Sequence, residues 1–178
     1  AEPERHRFVG TQAHLAGQGT THALRALSGF GAPEGRGETT LLGPSGKPLM
    51  LIDESYNANV ASMTAALEVY AAIKPPNGAK VLVLGDMLEL GGQAPALHAS
   101  LKDAVLNSGA TRIYLVGPAI AALGAALDGE AVAGHAETIE GLSETILAGL
   151  AYGDSVMIKG SKGVRLGSLV QAIRDRFK

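Results

Sequence analysis

The chain contains no cysteine, no tryptophan and only three phenylalanines. Without cysteine there is no disulfide framework and no thiolate metal site, which suits a reducing cytoplasm. No apolar run reaches the roughly 18 residues that a membrane-spanning helix needs. The opening residues Ala1 to Arg7 carry no apolar signal-peptide core. A formal net charge of −2 offers little attraction to nucleic acid or to an anionic membrane surface. The histidines His6, His14, His22, His98 and His135 show no metal-ligand spacing. Residues Gln18-Gly-Thr-Thr-His22 have the small side chains of a phosphate loop, but no Gly-Lys-Ser/Thr follows. The lysine and hydroxyl that would hold phosphate and magnesium are therefore missing.

What is present describes a packed α/β protein. The 178 residues fit one medium domain, or one domain plus a piece of another. Hydrophobic residues make up 46 %, with 24 glycines, a composition suited to close helix-on-sheet packing. Residues 1 to about 22 are polar, glycine-rich and weakly patterned, and read as a flexible end. A short helix is expected over His22–Leu27, then a Gly/Pro-rich connector to Gly37 that carries Arg36. Thr39–Leu42 and Pro48–Ile52 flank Gly43-Pro-Ser-Gly-Lys47, a hairpin signal. Strands are then expected over Lys80–Leu84, Arg112–Val116 and Ser155–Ile158, with a weaker one near Ala131–Ala133. Helices are expected over Asn59–Ile73, Pro95–Ser108, Pro118–Leu127, Thr138–Leu150 and Leu166–Phe177. This alternation implies βαβ units, hence a mostly parallel sheet covered by helices on both faces. The expected boundary lies near residues 43–50, separating residues 1–47 from a second domain over 48–178. No internal repeat is visible.

The segment Leu51-Ile-Asp-Glu-Ser-Tyr-Asn-Ala-Asn59 stands out. A buried strand ends abruptly in acids and amides, and a helix starts at once. Asn59 alone could cap that helix, which leaves Asp53, Glu54, Tyr56 and Asn57 to explain. An Asx-rich turn with solvated acids accounts for the segment in isolation. Three further strands also end in polar or glycine-bearing loops: Gly85–Gly91, Gly117-Pro118 and Lys159-Gly-Ser-Lys-Gly163. In a parallel sheet these loops gather at one edge, where open α/β sheets bind ligands. Lys159, Ser161 and Lys162 beside a helix start suit a carboxylate or phosphate. Asp86 and Glu89 could orient an ammonium or a sugar hydroxyl. His98, alone on its helix, reads as a packing or surface residue.

Together these segments resemble the Mur ligases, the ATP-dependent amide-forming enzymes of bacterial cell-wall synthesis. The resemblance rests on Gly35-Arg-Gly-Glu38, Leu51 to Met63, Val83-Leu-Gly-Asp-Met-Leu-Glu-Leu-Gly91 with Leu97-His98, and Ile158-Lys-Gly-Ser-Lys-Gly163. It covers residue 20 to the end. Asp-Glu-Ser-Tyr-Asn-Ala-Asn is similar to the branch that joins D-alanyl-D-alanine to UDP-N-acetylmuramoyl-tripeptide. The resemblance implies a cytoplasmic, monomeric three-domain enzyme, of which this chain would be the tail of the central ATPase domain and the whole Rossmann-like carboxyl domain. It implies ATP and Mg2+ as cofactors, held mainly by the central domain, and an acyl-phosphate route. Arg36 would face the ATP phosphates. Asp53 or Glu54 would bind the ribose, with Tyr56, Asn57 and Asn59 lining the nucleotide side. Lys159, Ser161 and Lys162 would hold the dipeptide carboxylate, and Asp86 its ammonium. No metal ligand and no catalytic residue is assigned within these residues, and the chain alone is expected to be inactive. The other reading is a stand-alone Rossmann-like module that binds a nucleotide or anion without catalysis.

Overall fold

A computed structural model of the chain describes residues 34–128 and 131–178. The end expected to be flexible and the helix expected over His22–Leu27 lie outside the described residues. Six strands form one sheet: β1 (Glu38–Leu42), β2 (Leu49–Glu54), β3 (Lys80–Gly85), β4 (Arg112–Val116), β5 (Val132–Ala136) and β6 (Ser155–Lys159). Their order is β1-β2-β6-β3-β4-β5. Only β1 runs antiparallel, against β2, as a short hairpin allows. The expected boundary after residue 47 falls in that hairpin turn, and both hairpin strands belong to the same sheet.

The central strands read as nearly unbroken apolar runs because both sheet faces are covered. The period-two alternation divides them between two cores. Met50, Ile52, Leu82, Leu84, Ile113, Leu115 and Met157 face one side. There they meet α1 (Val60–Ala72), α2 (Ala94–Ala99), α3 (Lys102–Asn107) and α4 (Ala121–Ala126). Leu49, Leu51, Val81, Val83, Val116, Val156 and Ile158 face the other side, against α5 (Ser143–Gly149) and α6 (Gly167–Arg176). Tyr70, at the end of α1, is fully buried. Its hydroxyl accepts the Val81 N–H at 3.2 Å and lies 2.9 Å from the Ser155 carbonyl. Burial pushes the Tyr70 phenol up to about 12.

Two expected helices are divided. The stretch expected over Pro95–Ser108 forms two six-residue helices, and the Ser100 hydroxyl donates back to the Leu97 carbonyl at 2.7 Å where they part. Such back-bonding competes with the helical ladder and bends the chain. The stretch expected over Thr138–Leu150 opens as a 3-10 turn over Ile139–Gly141 before α5, which lets Ile139 and Leu142 both reach the core. Strand β5 lies slightly later than expected, because Ala, Gly and His give it little apolar signal. Among the described residues no helix is long and apolar enough to cross a membrane.

Candidate functional site

The segment after β2 builds one wall of a site at the carboxyl edge of the sheet. Asp53 is buried, and its Oδ1 accepts both the Ser55 N–H at 3.0 Å and the Ser55 hydroxyl at 2.6 Å. Its Oδ2 is buried with no hydrogen-bond partner. Asn57 accepts the Ala58 N–H at 2.9 Å. Asn59 caps α1: its Oδ1 accepts the Ser62 N–H at 2.8 Å, and its own N–H donates to the Ser62 hydroxyl at 3.1 Å. That reciprocal pair satisfies two otherwise free donors of the helix start.

Residues 35–37 lie alongside. The Gly37 N–H donates to the Asp53 carbonyl, and the Tyr56 N–H donates to the Gly35 carbonyl. Gly35 has φ +75 and passes so close that a Cβ there would sit 3.0 Å from the Tyr56 Cβ, so a side chain would be strained and would press on Tyr56. This approach brings the Arg36 guanidinium to 4.3 Å from the centre of the exposed Tyr56 ring. The Lys162 ammonium lies 5.2 Å from the same ring. Both distances allow cation–π attraction. Arg36, Tyr56, Lys162, Arg165 and Ser168 line a cavity of about 640 Å³ here. Arg36 and Lys162 lie against the Tyr56 ring and Arg165 lines the same cavity, so its rim is mainly cationic, with Glu34 the one acid among the described residues beside it.

The lysine expected to bind a carboxylate is placed differently. Lys159 is only 3 % exposed, and its ammonium donates to Glu54 Oε2 at 3.3 Å and to the Asn57 carbonyl at 3.0 Å. The pairing of β2 with β6 puts Glu54 opposite Lys159. Two of its three donors therefore hold the acid-rich loop. Ser161 is also committed: its hydroxyl accepts the Leu88 N–H at 3.0 Å, and its N–H donates to the Asp86 carbonyl at 3.0 Å. Lys162 remains exposed.

Asp86 is buried, and its carboxylate accepts the N–H groups of Ile120 at 2.7 Å and Ala119 at 3.2 Å. It thereby fixes the chain entering α4. It also borders a second cavity of about 320 Å³, shared with Gly117, Glu137, Glu140 and Arg165. The Glu140 carboxyl is held below the usual range by its own backbone N–H, then by the Thr138 hydroxyl, with the Arg165 charge adding less. Glu89, beside this loop, is exposed and has φ +65.

Thus the structure brings Arg36, Tyr56 and Lys162 together, sets Glu54, Asn57 and Lys159 beside them, and keeps Asp53 buried. Sequence reasoning missed Arg165, Glu137 and Glu140. Arg165 borders both cavities and has φ +63, which is rare outside glycine. Its position just after the Lys159–Gly163 segment was the available signal. Of the two readings of His98, packing or surface, the structure shows the first: it is buried, with its Nε2 accepting the Met87 N–H of this loop.

The sequence model of the Mur ligase glutamate ligase domain matches residues 35–162. The UDP-N-acetylmuramoyl-tripeptide--D-alanyl-D-alanine ligase of Escherichia coli is 35 % identical over 127 residues, which is 71 % of this chain and 27 % of that protein. The ligase of the same name from Treponema pallidum is 36 % identical over 162 residues, covering 85 % of this chain and 35 % of that one. Among solved structures, MurF from Acinetobacter baumannii superposes with a TM-score of 0.69 at 25 % identity, over 82 % of this chain and 31 % of that chain. MurF ligase from Thermotoga maritima in complex with ADP shares the fold, with a TM-score of 0.65 at 19 % identity over 83 % of this chain and 32 % of that one. The chain thus spans roughly a third of the length of the curated relatives it matches.

Proposed function

The chain belongs to the Mur ligase family, of which it carries the glutamate ligase domain, and from that premise we propose that it is the carboxyl-terminal part of an ATP-dependent ligase that joins D-alanyl-D-alanine to UDP-N-acetylmuramoyl-tripeptide. The observation that carries the reading is the cationic, aromatic cavity formed by Arg36, Tyr56 and Lys162 at the carboxyl edge of the sheet. The ligase domain starts near residue 35, where the family match and the β1 edge of the sheet begin. Residues upstream are what remains of a central ATPase domain.

On this reading ATP phosphorylates the tripeptide carboxylate. That step breaks the β–γ phosphoanhydride bond and releases ADP. The dipeptide amine then attacks the acyl carbon and the C–N bond forms. The acyl C–O bond breaks, phosphate leaves with that oxygen, and the amine's proton goes to solvent or phosphate. Catalysis of this kind rests on positioning and charge neutralisation. Arg36 meets the ATP phosphates, and Tyr56, Asn57 and Asn59 border the nucleotide. Glu54 meets the ribose: it is partly exposed, whereas Asp53 is sealed and turned to Ser55. On the acceptor side Lys162 takes the dipeptide carboxylate, and Arg165 joins it. Ser161 and Asp86 shape that wall through backbone bonds. Lys159 serves the nucleotide side by holding Glu54 and Asn57.

Magnesium belongs with the ATPase domain. Among the described residues no three His, Asp or Glu side chains converge as a metal site. Because Gln18–His22 is not followed by Gly-Lys-Ser/Thr, these residues alone are not expected to turn over ATP. The test is phosphate release from MgATP and UDP-N-acetylmuramoyl-tripeptide, with and without D-alanyl-D-alanine. The natural-length gene product and this chain are run side by side. Dipeptide-dependent release by the long form alone supports the reading. Release by neither returns the domain to a binding module without catalysis, and robust ligation by this chain overturns the division of labour.

A further inference from the structure

His98 lies on α2, is fully buried, and has no part in the reading above. Its Nε2 is 2.8 Å from the backbone nitrogen of Met87, and its Nδ1 is 2.7 Å from the Ala94 carbonyl oxygen. These partners fix the proton. An amide N–H only donates, so Nε2 must present its lone pair. A carbonyl only accepts, so Nδ1 must carry the hydrogen. The ring is therefore neutral and held in one tautomer. Packing alone would ask only for a side chain of this volume.

The bond matters because of what Met87 belongs to. Asp86, Met87 and Leu88 open the loop after β3. The Leu88 N–H donates to the Ser161 hydroxyl, and the Ser161 N–H donates back to the Asp86 carbonyl. The loop is thus pinned from behind by His98 and in front by Ser161, the neighbour of Lys162. Asp86, next to Met87, holds the entry to α4 through Ala119 and Ile120. The His98 Nε2 stands 3.8 Å from Asp86 Oδ1, too far for a hydrogen bond. With a hydrogen on Nε2 the ring would lose Met87 and compete for that carboxylate.

We propose that His98 is a positioning residue of the ligase site, whose Nδ1–H tautomer sets the Asp86–Leu88 segment and, through Ser161, the segment that presents Lys162 and Arg165 to the acceptor. The consequence for turnover rests on the proposed function; the tautomer and its hold on the loop do not.

The first arm uses this chain. Long-range 15N–1H spectra should show one histidine with a bare Nε2 and a protonated Nδ1, and that signal should vanish in His98→Phe. Amide exchange should quicken at least tenfold at Met87, Leu88 and Ser161 in His98→Phe. His98→Gln, whose side-chain oxygen can accept the Met87 N–H, should restore most of that protection. The second arm uses the natural-length enzyme. The KM for D-alanyl-D-alanine should rise about tenfold in His98→Phe, the KM for ATP should change by less than about twofold, and His98→Gln should recover. A protonated Nε2, faster exchange confined to Met87, or equal behaviour of the Phe and Gln variants overturns the inference. If the natural-length product does not ligate, the first arm still decides the tautomer and the loop coupling, and only the functional reading fails.

Discussion

Replacing Lys159 by methionine tests the site most directly, because it keeps an unbranched apolar stem of similar reach and removes the ammonium. Lys159 closes β6, which lies between β2 and β3, and it is 3 % exposed. The change deletes the ion pair to Glu54 at 3.3 Å and the bond to the Asn57 carbonyl at 3.0 Å. Breaking a sealed pair from one side costs about 3–5 kcal/mol, mostly because the other charge is stranded. The Glu54 side chain is 27 % exposed, so its orphaned carboxylate can recover water. That brings the pair to about 1–2 kcal/mol, and the lost carbonyl bond adds about 1 kcal/mol. The sum, about 2–3 kcal/mol, lowers Tm by roughly 6–9 °C for a domain of this size. Thermal melts of wild type, Lys159→Met, Glu54→Gln and the double variant give the coupling, expected at about 1–2 kcal/mol. In the natural-length enzyme the KM for ATP should rise more than the KM for the dipeptide, the reverse of what the dipeptide-carboxylate role implied by the resemblance would give. A Tm change under about 2 °C, or a coupling energy within about 0.3 kcal/mol of zero, refutes the assignment.

Tyr70 titrates at about 12 when folded, against roughly 10 for a free phenol. The folded state holds the proton longer, so its contribution is full below pH of about 10 and is lost as pH climbs towards about 12. Burial pushes Lys80 down and so works in the opposite sense in this range. Melts at about pH 9 and pH 11 should therefore show a smaller loss in Tyr70→Phe than in wild type, and an unchanged slope would refute the account. Gly117→Ala would place a Cβ 2.3 Å from the Asp86 Cγ at φ +126, and should destabilise by about 2 kcal/mol or more. Gly46→Ala, in open space, should stay within about 0.5 kcal/mol of wild type, and denaturant titration of both variants checks the contrast. Arg165→Gly should raise stability by about 1 kcal/mol, because φ +63 costs glycine nothing, yet weaken ligation by the natural-length enzyme.

The central strands were legible because each carries an apolar run bounded by turn residues, and β5, which lacks one, was placed less well. The alternation within them assigns faces only once a sheet is assumed. Helix ends were legible where a chemical signal marks them, as at Asn59 with Ser62. The break at Ser100 was not, because a serine inside an apolar pattern looks like a tolerated polar residue until its hydroxyl is seen bonding backwards. Burial of charge was the main blind spot. A lysine in a glycine-rich loop reads as solvated, and nothing local marks Lys159 as the partner of Glu54, which is 105 positions away. Asp53 and Glu54 are neighbours in sequence, and only the pleat separates the sealed acid from the accessible one. The pattern around His98 fits a packing or a surface residue; its tautomer is set by Met87 and Ala94, which only the fold brings to its two nitrogens.

The strand order explains why so short a segment touches so much. After β5, at one edge of the sheet, the chain returns to insert β6 between β2 and β3. The loop after β6 therefore leaves from the middle of the sheet, with the acid-rich loop on one side and the β3 loop on the other. Lys159 bonds to the first and Ser161 to the second, two residues apart. Beyond them Arg165 borders both cavities. A glycine would fit its left-handed backbone better, so the fold gives no reason for an arginine at this position. On the proposed function the cation shared by the two cavities does give one: in the first it stands with Lys162 for the dipeptide carboxylate, and in the second it shares the lining with Glu137 and Glu140, acids suited to the same dipeptide's ammonium.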